Sequence, residues 1–144
     1  MGDYAIRMQF DIGADPETVR RALTTTAGIA SWWSNHVGGE PGRDGGRLEV
    51  SFPDVPVPFD FTVRLDGAIE WETGDQPEHW HGTTARWEVD DHPRQDGSTL
   101  LRFRHGGYDE ANPIIDIVTP AWAMIISRLK GYAETGDAQP FFDF

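Results

Sequence analysis

Between Leu48 and His105 apolar residues return at every second position in one short run after another, and beyond Pro113 the interval changes to three and four. Leu48, Val50 and Phe52 share one phase, and Phe61, Val63 and Leu65 share the next. Ile69 and Trp71 follow, then Ala85, Trp87 and Val89, then Leu101, Phe103 and His105. A period of two belongs to a strand with one buried face. Asp66-Gly67 and the Gly-, Pro- and Asp-rich stretches 73–77 and 90–97 separate the runs, as hairpin turns require. Five successive strands joined in this way predict an antiparallel meander. In the last segment Ile115, Val118, Trp122, Ile125, Leu129 and Tyr132 recur at helical steps, which predicts a long helix closed near Gly136. Pro120 falls inside it, at a cost of about 3 kcal/mol. A helix starting near Pro113 and kinked at Pro120 is expected in preference to one capped by Thr119.

Upstream, Tyr4, Ile6, Met8, Phe10 and Ile12 alternate with Ala5, Arg7, Gln9 and Asp11, which predicts an opening strand. Asp15-Pro16-Glu17 then supplies a cap oxygen, a residue preset for the first helical position and a carboxylate at the positive helix end. Val19, Ala22 and Leu23 are the apolar stripe of that helix. Three threonines and Gly28 interrupt it, and Ile29, Trp32 and Trp33 predict a second, shorter helix. The five glycines and one proline of 37–46 predict a mobile loop. No repeat, linker or low-complexity stretch divides the chain, so one domain over 1–144 is expected.

Charge and composition exclude several functions. Asp and Glu number 24 against 12 Lys and Arg, a net charge of −12, which repels a polyanion and argues against nucleic acid as a partner. Cysteine is absent, so no disulfide, thiolate nucleophile or Cys-type zinc site is available. Neither a basic patch leading into an apolar run nor a stretch of about 18 apolar residues occurs, so no membrane span is expected and the cytoplasm is the expected location. The serine-hydrolase elbow, the P-loop and the zincin motif are missing, and the glycines of 38–46 do not lead from a strand into a helix. No cofactor is expected.

A strand, two short helices, five or so strands and a long final helix form an order that resembles the START-like (SRPBCC) superfamily. Several stretches resemble its branch similar to the activator of heat-shock protein 90 ATPase: Pro16-Glu17-Thr18-Val19, Trp32-Trp33, Trp80-His81-Gly82-Thr83, the run from Leu101 to Tyr108 and the run from Ser127 to Gly136. The resemblance covers essentially the whole chain. It implies an α+β helix-grip fold, with a curled antiparallel sheet of about six strands around the C-terminal helix. It leaves activity open, because members include ligand carriers, polyketide aromatases and cyclases, and co-chaperones. The three prolines of 53–58 and Pro120 depart from the pattern at the expected cavity rim and wall.

The inward phases supply Phe52, Phe61, Trp71, Trp87, Phe103 and Trp122, rings that either line a pocket for an apolar or aromatic small molecule or fill the core against one another. Trp32 and Trp33, adjacent on a short helix, face different ways: one in the core, the other, taken as Trp33, at the cavity mouth. That helix and the loop after it would form a lid. His105 shares the inner phase and is the candidate general base if the protein is an enzyme; otherwise His105 or His81 is the polar handle of a binding site. His79 and His81 are expected on one strand face, but no third ligand stands at a telling spacing and no metal is expected. Glu70, Glu72 and Glu88 fall on outer phases as solvated carboxylates. Phe141-Phe142-Asp143-Phe144 either folds back on the same chain or meets a second copy in a homodimer. Ligand binding is the leading expectation, an aromatase- or cyclase-like enzyme the second, and a co-chaperone-like interaction domain the third.

Overall fold

A computed structural model describes residues 2–144. Strand β1 (Tyr4–Ile12) leads into helices α1 (Pro16–Thr24) and α2 (Thr26–Ala30). Strands β2 (Val37–Gly39), β3 (Arg47–Val50), β4 (Phe59–Arg64), β5 (Ile69–Thr73), β6 (Thr84–Asp91) and β7 (Thr99–Tyr108) follow, and helix α3 (Ile115–Thr135) comes last. The seven strands form one antiparallel sheet in the order β1-β7-β6-β5-β4-β3-β2. Helices α1 and α2 therefore carry the chain from one edge to the other, and the meander returns it until β7 lies beside β1, with Ile6 opposite His105 and Met8 opposite Phe103. This is the helix-grip arrangement. Inner-phase residues of the sheet and the stripe of Val118, Trp122, Ile125, Ile126 and Leu129 on α3 join in one core. Among the described residues no helix is long and apolar enough to cross a membrane.

Local chemistry explains the element ends. Asp15 caps α1 by accepting the Thr18 N–H at 2.9 Å, and Gly136, at φ 80°, closes α3 by donating to the Tyr132 carbonyl. Pro120 lies inside α3, whose first residue is Ile115, so the helix runs through the proline. On the outer sheet face Glu70 and Glu88 both pair with Arg86, and Glu72 pairs with Arg64. Exposed pairs of this kind contribute about 0–1 kcal/mol each.

Three expectations are corrected. The stretch 37–46 is not loop throughout: Val37–Gly39 is an edge strand paired with β3, which brings the expected sheet of about six strands to seven. Gly28 does not interrupt a helix but sits within α2, where an added Cβ would lie 2.7 Å from the Arg21 carbonyl oxygen and 2.8 Å from the Ala22 Cα; its bareness lets α2 press on α1. His79 and His81 do not share a strand face, because Glu78–Trp80 forms a short 3₁₀ turn.

A bulge near the end of β7 has the greatest consequence for the interior. Tyr4 pairs with Tyr108 and Ala5 with Gly106, which leaves Gly107 as the extra residue. Its φ is 102°, and a Cβ there would meet the Gly82 carbonyl oxygen at 2.7 Å, so only glycine fits without strain. The insertion turns Tyr108 to the same side as His105, three positions earlier, and both side chains are buried.

Candidate functional site

Tryptophans 32 and 33 lie just past the last turn of α2, where the chain leaves helical geometry. Both can therefore point inward, and both are essentially fully buried, stacked against Trp71 with ring centroids 6.3 and 5.9 Å away. Trp32 is anchored by its indole N–H, which donates to the Ala22 carbonyl at 2.8 Å. Trp33 lies on the side of α3, 5.3 Å from the Trp122 ring. Beyond Trp33 and Trp122 the packing stops short, and a cavity of about 250 Å³ opens between the first half of α3 and the ends of β3 and β4.

Its walls come from six parts of the chain. Phe52, Pro53 and Val55 come from the proline-rich loop after β3, and Phe59 begins β4. Trp80 comes from the 3₁₀ turn, and Trp33 from the segment after α2. Helix α3 contributes Ile117, Val118, Ala121, Trp122 and Ile125, and Phe142 closes the remaining side. Every one of these side chains is apolar or aromatic. The mouth lies where Val55 and Ile117, 40% and 67% exposed, face water. Polar atoms are nearly absent: the indole N–H of Trp122 is taken by His105, and that of Trp80 is buried without a partner.

Phe142 is held by the chain's own C-terminal segment. Phe141 and Phe142 donate backbone N–H groups to the Trp32 and Trp33 carbonyls at 3.0 and 2.8 Å, and the Phe142 carbonyl accepts from Asn35 at 3.1 Å. The Asn35 side chain donates to Asp143 and to the Phe144 carbonyl and accepts the Phe144 N–H. The aromatic tail thus folds back on its own chain, and of its three rings Phe144, stacked on His36 at 4.2 Å, is the one left half exposed.

Behind the cavity lies a polar network centred on His105. Thr83 donates its hydroxyl to the Trp80 carbonyl at 2.6 Å, so its oxygen is left to accept from His105 Nε2 at 3.0 Å. The other ring nitrogen, Nδ1, accepts the Trp122 indole N–H at 2.9 Å and lies 3.2 Å from the Tyr108 hydroxyl. One neutral tautomer, protonated on Nε2, satisfies these contacts. Burial, and secondarily the nearby His79, pushes the imidazole pKa down to about 3, and burial pushes the Tyr108 phenol up. The Trp80 ring stands edge-on to the imidazole at 4.7 Å, and Trp122 lies 5.7 Å away.

Of the residues expected at a ligand, Trp33, Phe52 and Trp122 line the cavity. Phe61, Trp71, Trp87, Phe103 and His105 are buried but do not line it. His81 lies elsewhere, exposed, with Nδ1 3.1 Å from the Gly74 carbonyl oxygen. Among the described residues no group of three or more His, Asp or Glu is placed to hold a metal ion. Sequence reading passed over Phe59, Trp80, Phe142 and the α3 face of Ile117 and Ala121. Phe59 was legible as the same phase as Phe61 two residues on; Trp80 and Phe142 sit outside regular elements and carry no periodic signal.

No family model matches the sequence, and a search of curated proteins finds no match. Solved structures do resemble it. The solution structure of the Aha1 dimer from Colwellia psychrerythraea has a TM-score of 0.79 at 28% identity, over 92% of this chain and 98% of that one. DynU16, from the dynemicin biosynthetic locus, has a TM-score of 0.74 at 18% identity, and the match spans 99% of this chain and 52% of DynU16. A point mutant of norcoclaurine synthase from Thalictrum flavum, in complex with a transition-state analogue, has a TM-score of 0.64 at 11% identity, over 92% of this chain and 94% of that one. The two more distant likenesses are of fold, the same sheet gripping a terminal helix.

Proposed function

We propose that the chain is a small-molecule-binding protein, a single domain working in the cytoplasm, whose cavity takes an apolar or aromatic guest. The supporting observation is the twelve-residue lining, wholly apolar and open at one end. Such a wall gains about 25 cal/mol for each Å² of apolar surface it covers, and its rings favour flat partners. The volume lies just below the usual range for ligand pockets, roughly 300–1,000 Å³, so the guest is small. A cyclase-type reading would need a base within reach of the guest, whereas both nitrogens of His105 are engaged behind Trp80 and Trp122. Binding is therefore the better-supported function, with His105 holding Trp122 in place.

Filling the cavity tests this. Ala121 is half-buried on the cavity face of α3, and Ala121→Trp should weaken saturable binding of the uncharged dye N-phenylnaphthylamine at least about tenfold while leaving the melting temperature nearly unchanged. Equal dye affinity for parent and variant, or no saturation with the parent, rejects the reading.

The likeness to the Aha1 dimer, at 28% identity over nearly the full length of both chains, supports a second reading: membership of the Aha1-like branch and pairing with a second copy. Sedimentation equilibrium should then report about twice the 16.1 kDa chain mass at micromolar concentration. A monomer mass across that range ends the pairing idea.

A further inference from the structure

Four of the chain's 12 basic residues stand together on the outer face of the sheet. The strand register sets Arg7 of β1 opposite Arg104 of β7, and Arg104 opposite Arg86 of β6, a row of three like charges about 5 Å apart from strand to strand. Arg102 lies two positions from Arg104 on the same face, between Gln9 and Glu88. The alternate neighbours Ile6, Trp87, Phe103 and His105 are buried on the inner side, while Arg7 and Arg102 are exposed and Arg104 is half-buried. Nearby carboxylates are engaged elsewhere. Glu70 and Glu88 both pair with Arg86, Glu88 doing so although Arg102 stands opposite it, and Asp11 pairs with His92 at 2.8 Å. Among the described residues Arg7, Arg102 and Arg104 take part in no salt bridge. Gly106 completes the patch: a Cβ there would come within 2.8 Å of the Arg104 Cζ, so the guanidinium lies over bare backbone. In register beside Gly106 are Ala5 and Thr84, both small. Like charges directly opposite one another destabilise a sheet, and Arg7 and Arg104 are left in that state.

We propose that this face docks an acidic segment of a partner protein, an extended stretch with Asp or Glu at alternate positions. The site is separate from the cavity, which lies on the inner side of the sheet. Guanidinium groups take carboxylates through paired hydrogen bonds, and a free Arg104 beside a free Arg7 offers two forks to one carboxylate. Arg102 and Arg104 are about 7 Å apart along the strand, the same repeat that alternate side chains have in an extended peptide. One segment can therefore meet both. A lone small anion on this open face stays in water and gains little from it, whereas several carboxylates on one chain act together. The next row along the strands is Asp11, Leu100 and Asp90, so the positive patch ends in carboxylates. That boundary, on a chain of net charge −12, suits a short acidic segment and not a long polyanion.

A capped peptide of repeated Glu-Ser, about eight residues long, tests the proposal when titrated into the isotope-labelled intact protein at pH 7 and about 0.05 M salt. Backbone amide shifts in the NMR spectrum should saturate and should centre on β1, β6 and β7. The matching Gln-Ser peptide should bind at least about tenfold more weakly. Raising salt to about 0.5 M should weaken the Glu-Ser peptide severalfold, because the screening length shrinks. Arg7→Gln together with Arg104→Gln should weaken it about tenfold, and the amide spectrum shows whether each variant is folded. Arg43→Gln removes an exposed charge just after β2, at the opposite edge of the sheet, and should leave binding unchanged. Equal affinity for the two peptides, equal loss in the Arg43 variant, or shifts centred on other strands overturns the proposal. Tighter binding of octathymidylate than of the Glu-Ser peptide overturns it as well, in favour of a nucleic acid.

Discussion

Lowering the pH from about 7.5 to about 5 should cost the folded protein about 2 kcal/mol through His105 alone, and a His105→Gln variant should lack that loss. The imidazole is 1% exposed, and its pKa is depressed from an ordinary 6.5 to about 3. The unfolded chain therefore takes up a proton near pH 6.5 that the native chain refuses. Stability from this group is complete above about 6.5 and falls by about 1.4 kcal/mol per pH unit as pH drops toward 3. Other contributions change over the same interval: net negative charge diminishes toward the pI near 4.6, which eases self-repulsion. Urea unfolding of parent and variant at both pH values cancels these shared contributions, leaving the His105 difference. At pH 7.5 the variant itself should be weaker by about 1–3 kcal/mol, since the Trp122 N–H and Thr83 lose a matched partner. Parallel losses in parent and variant on acidification would show that the ring is not held neutral by its surroundings.

Replacing Trp122 should have the larger effect on stability, because this residue belongs to the core and to the cavity wall at once. Its ring lies 4.7 Å from Phe103, 5.3 Å from Trp33 and 5.8 Å from Trp80, and its N–H fixes the His105 tautomer. Trp122→Ala should lower unfolding free energy by about 3–5 kcal/mol, the usual cost of a large aromatic truncated in a packed interior. Against a total stability of about 5–15 kcal/mol this approaches loss of the fold. Trp122→Phe keeps most of the ring and loses the donor, so about 1–2 kcal/mol is expected. Ile117→Ala, at the exposed rim about one and a half turns earlier, should change stability by about 0.5 kcal/mol or less. If the Ala variant at 122 costs no more than the one at 117, the ring contacts around Trp122 contribute little to stability.

The two experiments address the two sides of Trp122. One reads the polar network behind it and the other the aromatic layer around it, and both bear on why the cavity stops where it does. Trp80 and Trp122 stack at 5.8 Å with their planes nearly parallel, so the pair acts as a partition between the apolar space and the histidine.

Strand phases and the final helix were legible because each depends on one face being buried. Leu48, Val50, Trp71 and Trp87 alternate with polar neighbours, and all four are completely buried. Asp15 and Gly136 were legible as caps because their chemistry acts over three or four residues. The short edge strand was not, since Val37–Gly39 has two glycines and no apolar alternation of its own, and the only strand it pairs with is β3. Nor was the burial of both adjacent tryptophans, which depends on where α2 ends.

Local sequence thus determined which residues face inward and where elements begin, because periodicity and capping are short-range physics. Only the tertiary structure decided which inward rings touch one another and which face empty space, because that is a matter of how far the sheet stands from α3 at each point along its length. The bulge at Gly107, the 3₁₀ turn that presents Trp80 and the folded-back Phe142 set that distance through contacts between parts of the chain far apart in sequence. No pattern within any one segment records them.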